Sequence, residues 1–518
     1  MRIGLALGLC LLAAPGANAQ SVNPGAAAAL QKDLRSWLVN VLHLAETTAA
    51  SLVRVTAEAD RYRFATDVTP PGETVERFVT LSARPIENGR WDIEGPRFPV
   101  AFEYRIPSVT GRPETRTRIT VGSQNARATI DPTMATQSSG SIELRDYGGI
   151  TENTGFRQEF RTDQAAMRFT LSPITGGRLD FDSESQYRGW RGTMRAAEGP
   201  DAMASLPSIK FSAGTVSGGV RVSGINRDGT AAFVASLMEL MRAVSARPDM
   251  FAPPVTEPGP GPGRGAGRSA ARAYPVPEEA HAFLTQCIAA IGDIFTSAST
   301  EFRIADLMVD VAGAGAFRAT EVRTGMKSDA PLDRLRASIE MAITEPVIQG
   351  LPPDALPLVP THIVIRPNMS GLDLKAVRAL LTAANVPAPD EAKLTQGALA
   401  LLGGDSRFGL DILDISIGPA RFEGVGEVRF ATPEEPVGRA RIIATGIDEW
   451  MRSMNGNPML AQAMPIVAIM RGMAKQEGTK SIWDIDATKA RVLVNGIDVA
   501  QMGPRPPPRG QPKPAPSR

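Results

Sequence analysis

The side chains best placed for chemistry are methionines. Met451, Met454, Met464, Met470 and Met473 crowd one stretch beside Trp450, and Met238 with Met241 stand on an earlier apolar run. Three pairs repeat as Met-x-x-Met, at 238/241, 451/454 and 470/473. Residues three apart share a helix face, so two thioethers would present soft sulfur together, a donor set that suits Cu(I). Each pair lies among apolar residues and lacks a nearby histidine, which makes copper the lesser reading. Methionine is unbranched and fills irregular apolar space, so packing of a helix on a sheet accounts for the cluster directly. The functional alternative is a pliable groove for an acyl chain or a hydrophobic peptide, lined by those seven methionines and Trp450.

Other constellations are sparse. The chain has no Gly-x-Ser-x-Gly elbow, Ser-x-x-Lys, His-Glu-x-x-His or Cys-x-x-Cys. Its three histidines, His43, His281 and His362, fall in three different segments, and no spacing favours a metal site. Acids pair at Asp180/Asp182, Asp411/Asp414 and Asp484/Asp486. The pairs two apart, 180/182 and 484/486, would share a strand face and could form a dyad or cation site, but basic residues flank each of the three pairs, as on a solvated face. No catalytic residue, cofactor or metal is expected, and the reading is non-enzymatic.

Those residues must be held by two kinds of element. Leu30, Leu34, Trp37, Leu38, Val41 and Leu44 recur three or four apart, predicting an amphipathic helix over 24–48, with Asn23 as cap and Pro24 at its first position. From Leu52 to Ile225 the period becomes two. Leu179, Phe181, Ser183, Ser185 and Tyr187 alternate with Arg178, Asp180, Asp182, Glu184, Gln186 and Arg188. Such alternation predicts antiparallel strands with one face buried and one wet. The second half repeats the plan. A helix is expected over 277–297, strands over 334–344 and 361–366, a helix over 374–384, a meander over 408–444, a helical segment over 449–475 and a strand over 481–494.

A short phrase recurs four times: Ser223-Gly224-Ile225-Asn226, Ser370-Gly371-Leu372-Asp373, Thr445-Gly446-Ile447-Asp448 and Asn495-Gly496-Ile497-Asp498. Glycine permits the turn, and the acid or amide after it is positioned to cap a following helix. Asp448 is expected to cap a helix beginning near Glu449. A first helix is expected over 230–245, and Asn495-Gly496 predicts a hairpin.

Composition bounds the rest. Across 518 residues acid and base nearly cancel, at formal net charge +1, so no global field draws the chain to nucleic acid. Aromatic residues make up 5%, too few for a base-stacking surface. Met1 to Ala19 reads as a cleavable export signal: Arg2, an apolar stretch from Ile3 to Ala14, then Ala17-Asn18-Ala19. No later apolar run is long enough for a membrane span. Removing the signal leaves one cysteine, Cys287, on the apolar side of a predicted helix, so no internal disulfide is expected. Residues 252–276 hold a proline-glycine run that can build no core and read as a linker. The tail over 503–518 is proline-rich and purely basic, with Arg505, Arg509, Lys513 and Arg518; it reads first as a disordered end, with a tether to an anionic envelope polymer or membrane surface as the alternative.

Residues 351–502 resemble a family of uncharacterised proteobacterial exported proteins, domain-of-unknown-function 2125. The likeness is carried by Pro360 to Asp373, by Gly424-Val425-Gly426 before Pro436-Val437-Gly438, by the Thr445 to Asp448 turn and by Val494-Asn495-Gly496. It implies a periplasmic β-rich protein and brings no catalytic residue with it. The expectation is thus an α+β protein of two similar domains, 20–251 and 277–502. Each would be an extended, curved, largely antiparallel sheet packed with a few amphipathic helices. A hydrophobic, lipid-like ligand is the first functional reading, a structural or adaptor protein with an envelope partner the second, and an uncharacterised hydrolase the third.

Overall fold

The computed structural model describes residues 22–40, 53–67, 77–106, 114–197, 207–226, 294–329, 334–384, 390–402, 406–432, 435–454, 464–488 and 491–499, with 46 and 50 singly. The expected export signal, linker and tail lie outside the described residues, as do the helix over 230–245 and most of that over 277–297.

Strands dominate. A first group is short: β1 (Arg54–Glu58), β2 (Arg61–Asp67), β3 (Phe78–Pro85), β4 (Trp91–Arg97), β5 (Ala101–Ile106), β6 (Thr115–Thr120) and β7 (Ser123–Ile130). Six long ones follow: β8 (Ser138–Glu152), β9 (Phe156–Ile174), β10 (Arg178–Ala196), β11 (Ile209–Asn226), β12 (Ser297–Val311) and β13 (Gly315–Asp329). Then come β14 (Arg334–Thr344), β15 (Val347–Ile348), β16 (Pro360–Asp373), β17 (Arg407–Ile417), β18 (Ala420–Thr432) and β19 (Glu435–Thr445). The last are β20 (Lys475–Glu477), β21 (Lys480–Thr488), β22 (Arg491–Val494) and β23 (Ile497–Asp498). The α-helices are α1 (Pro24–Asn40), α2 (Leu374–Ala384), α3 (Glu391–Leu402), α4 (Ile447–Ser453) and α5 (Met464–Met473).

This corrects the expected fold class. Among the described residues the protein is mostly β, 66% strand against 18% helix, and the 23 described strands belong to one antiparallel sheet. Two separate sheet-and-helix bodies are not what forms. The last strand of the first half, β11, pairs with the first of the second, β12, from Ile209 opposite Val311 to Ser223 opposite Ser297. A long edge strand leaves a row of N–H and C=O groups unpaired, and β11 and β12 satisfy each other's. Elsewhere the order is a near-continuous meander. β1 to β4 pair in turn, β4 passes to β7, and β8 carries β7 and β6 on successive parts of its length. From β8 to β14, and on through β16 to β19 and β21, each strand joins the next.

The recurrent glycine phrase places a left-handed glycine in all four copies but makes a turn only at Gly446 and Gly496; Gly224 and Gly371 lie within β11 and β16, where the ladder register shifts. Gly224, Gly371, Gly446 and Gly496 have φ of 66°, 74°, 69° and 83°. Asn495 also has positive φ (50°), and Val494 pairs with Ile497 across the expected hairpin. Asn23 caps α1 as expected, its Oδ1 accepting the Ala26 N–H at 2.8 Å, and Asp373 accepts the Lys375 N–H at 2.8 Å ahead of α2. Asp448 departs from the expectation. Gly446 is the N-cap of α4, no side chain caps it, and the Asp448 carboxylate turns to Arg471 of α5 at 2.8 and 2.9 Å.

A line of left-handed residues crosses the long strands. Asp146 in β8, Gly189 in β10 and Asp306 in β12 have φ of 49°, 62° and 54°. Pairing lapses at each while the register is kept: Arg145 faces Gln164 and Tyr147 faces Thr162, and Ala305 faces Glu321 as Leu307 faces Ala319. The alternation shifts by one on both partner strands together, so that in β8 Leu144 and Tyr147 pack in the same apolar cluster with Phe160.

Residues opposite each other in a ladder point to the same face, so the register assigns sides across the sheet. One side is apolar. At one end α1 lies on it, burying Leu30 and Leu34 against Val55, Phe64, Leu81, Trp91 and Ile93. At the other end α4 and α5 bury Ile447, Trp450, Met454 and Met473 against Ala420, Ala444 and Trp483.

Candidate functional site

Between those two sealed ends, the same side of the sheet carries large apolar residues in the open. Gly218 of β11 faces Phe302 of β12, which faces Thr324 of β13, which faces Met341 of β14, which faces Ile365 of β16. In the neighbouring row Val220 faces Thr300, Thr300 faces Met326 and Met326 faces Ile339. Val220, Phe302, Met326, Ile339 and Met341 are 38%, 42%, 43%, 42% and 49% exposed. A single exposed hydrophobe needs no explanation, but five in two adjoining rows form a patch of the kind that marks a binding surface. The half-buried Ile304, Val322, Ile343 and Ile363 extend it along the strands. No charged residue stands on this side anywhere from Val216–Val222 of β11 to Phe408–Ile415 of β17.

The strand pattern dictates this segregation. Over 337–343 the alternation is Ala337, Ile339, Met341 and Ile343 on one side, Ser338, Glu340 and Ala342 on the other. The reverse side is a lattice of ion pairs: Arg221 with Asp182 (2.7 Å), Arg303 with Glu321 (2.8 Å), and Arg421 with Asp414 (2.9 and 3.0 Å). Glu340 sits between Arg323 (2.7 Å) and Arg366. The Arg366 hydrogen bonds outweigh the effect of partial burial and hold the Glu340 carboxyl below its usual range; Arg421 does the same for Asp414. The two sides thus differ as oil from brine, with the pleat alone between them.

Met451, Met454, Met470 and Met473 stand apart from this patch. Met454 (1% exposed), Met473 and Trp450 are buried in the core that seals the far end, Met451 packs against that core, and Met470 is 40% exposed on α5. Met464 begins α5, and Met238 and Met241 lie outside the described residues. The paired acids belong to the ionic side, each meeting a hydrogen-bonding or basic neighbour. Asp180 accepts the Gly224 N–H (2.9 Å), Asp411 meets Asn368, Asp484 meets Arg441 (3.5 Å) and Asp486 meets Arg439 (3.1 Å). Among the described residues no group of three or more His, Cys, Asp or Glu could hold a metal ion. Likewise no described helix is long and apolar enough to cross a membrane.

Alternation within the strand expected over 334–344 sets Ile339, Met341 and Ile343 on one face, but nothing local singles that face out. Alternation announces a face that should be buried, while what lies over it depends on partners far away in the chain. The likeness of residues 351–502 to the exported family rests on the turn motifs alone, for no family model, no curated protein and no solved structure matches this chain.

Proposed function

We propose that this is an exported, non-enzymatic protein that holds the acyl chain of a lipid against the open apolar side of its sheet. The observation that carries the reading is the uncharged band through Val220, Phe302, Met326, Ile339 and Met341, half-exposed between two ends sealed by helices. A sheet face offers almost no hydrogen-bonding groups, because its N–H and C=O groups lie in the plane and are used by neighbouring strands. An extended peptide would leave its own backbone unsatisfied there at a cost of about 1–3 kcal/mol per buried group. A hydrocarbon chain carries no such groups. From β11 to β17 are five interstrand steps, about 24 Å at about 4.8 Å each, which matches an extended long acyl chain.

The test is native mass spectrometry of protein taken from its own envelope compartment, followed by lipid extraction. Bound lipid is expected, and it is lost in Phe302→Asp and Met341→Asp without a fall in thermal midpoint beyond a few degrees. Ligand-free protein, or lipid retained in both variants, would overturn the proposal; a stable protein partner captured in its place would favour the adaptor reading.

A further inference from the structure

On the ionic side, beyond the line of left-handed residues, Arg161 of β9 stands directly opposite Arg191 of β10. Like charges at one ladder position have Cβ atoms about 4.5–5.5 Å apart and repel. The pair flanks a hollow of ≈ 590 Å³ that also takes Arg118 and Lys210 into its lining. Gly148, opposite Arg161 in the ladder, opens its floor: a Cβ there would strike the main-chain oxygen of Phe160. Four cations therefore face two carboxylates, Asp146 and Glu159.

The existing contacts leave this charge available. Arg161 reaches Asp146 by a single contact at 3.4 Å, and Arg191 reaches Asp163 at 3.0 Å and the Gly189 carbonyl at 3.1 Å. A guanidinium carries five N–H donors, so most of those on Arg161 and Arg191 remain. Glu159 is engaged by Arg157 at 2.8 Å, outside the hollow. Arg118 meets Glu103 at 3.5 Å, and Lys210, opposite Asp310 in the ladder, makes no ion pair among the described residues.

We infer that this hollow binds a phosphate group, with Arg161 and Arg191 as the paired forks and Arg118 and Lys210 as flanking charges. A phosphate presents more charge than a carboxylate and several acceptor oxygens, which two facing guanidinium planes can engage together. The site is separate from the acyl-binding side, which is the opposite surface of the sheet.

Inorganic pyrophosphate is the first probe, titrated calorimetrically into the full chain at low ionic strength. Saturable binding is expected, weakening with added salt. The double variant Arg161→Gln/Arg191→Gln is expected to weaken it at least tenfold while its thermal melt stays cooperative. Asp146→Asn is expected to tighten it, because the competing carboxylate is gone; a purely structural Arg161–Asp146 pair would not respond in that direction. Phosphatidylglycerol and phosphatidylcholine vesicles form a second arm. Binding to the first alone, lost in the double variant, assigns the phosphate to a lipid headgroup, whereas pyrophosphate binding without vesicle binding assigns it to a soluble source. No saturable binding in either arm, or undiminished binding by the double variant, overturns the inference.

Discussion

The indole Nε1 of Trp483 in β21 donates a 2.7 Å hydrogen bond to the main-chain oxygen of Met470, in the last turn of α5. Asn495 does the same for Met473, its Nδ2 lying 2.7 Å from that oxygen. The final carbonyls of a helix have no partner within it, so two strand side chains are supplying the cap. Trp450 is the counterexample, since its Nε1 is buried with no acceptor. Trp483→Phe should therefore cost about 1 kcal/mol more than Trp450→Phe, each measured by urea unfolding. Equal losses would show that the Met470 bond contributes nothing net.

A second prediction concerns acid. Asp131 is 2% exposed, and its carboxylate accepts hydrogen bonds from the N–H and hydroxyl of both Thr133 and Thr136, at 2.6–2.9 Å. Burial alone would raise its pKa; the four bonds outweigh it and bring the pKa down to about 2, from 3.8. A folded-state pKa below the unfolded one contributes stability that is fully present above about pH 4 and lost as pH falls towards 2. The contribution is up to about 2 kcal/mol. Asp131→Asn should lower stability near neutrality and flatten the stability–pH curve between pH 4 and 2. A variant with the parent's acid slope would assign that slope to other carboxylates.

Much of the local structure could be read from the chain. The strand over 334–344, the Asn23 cap and the left-handed glycines at 224, 371, 446 and 496 each follow from nearest neighbours, and each forms. The union of the two halves could not be read. Nothing local to Val216 or Ile304 says that they face each other, for their pairing depends on segments about 90 residues apart. Asp448 failed for a related reason: a bidentate partner 23 positions on, Arg471, outcompetes the backbone N–H groups it was expected to cap.

The left-handed residues give a third prediction. Gly189 combines φ of 62° with a neighbour, the Asp163 carboxylate, lying where a Cβ would go. Gly176 has φ of 80° and open space around it. Gly176→Ala should cost about 1–2 kcal/mol, the strain of a left-handed backbone alone. Gly189→Ala should cost distinctly more, because Asp163 must also move away from Arg191. If the two lose the same stability, the Asp163 side chain relocates freely and the contact at Gly189 is less tightly built than its geometry implies.

The last prediction separates the two sets of methionines. Met454 is fully enclosed between α4 and the sheet, so Met454→Ala removes buried volume and should cost about 2–5 kcal/mol. Met341, half in solvent on the uncharged band, should cost less than about 1 kcal/mol as Met341→Ala. The order should reverse for ligand. Loss of bound lipid is expected from Met341→Asp, while Met454→Leu, which nearly conserves volume, should leave both stability and lipid content near the parent's. Lipid that follows Met454→Leu but ignores Met341→Asp would place the acyl chain among the helices and not along the open strands.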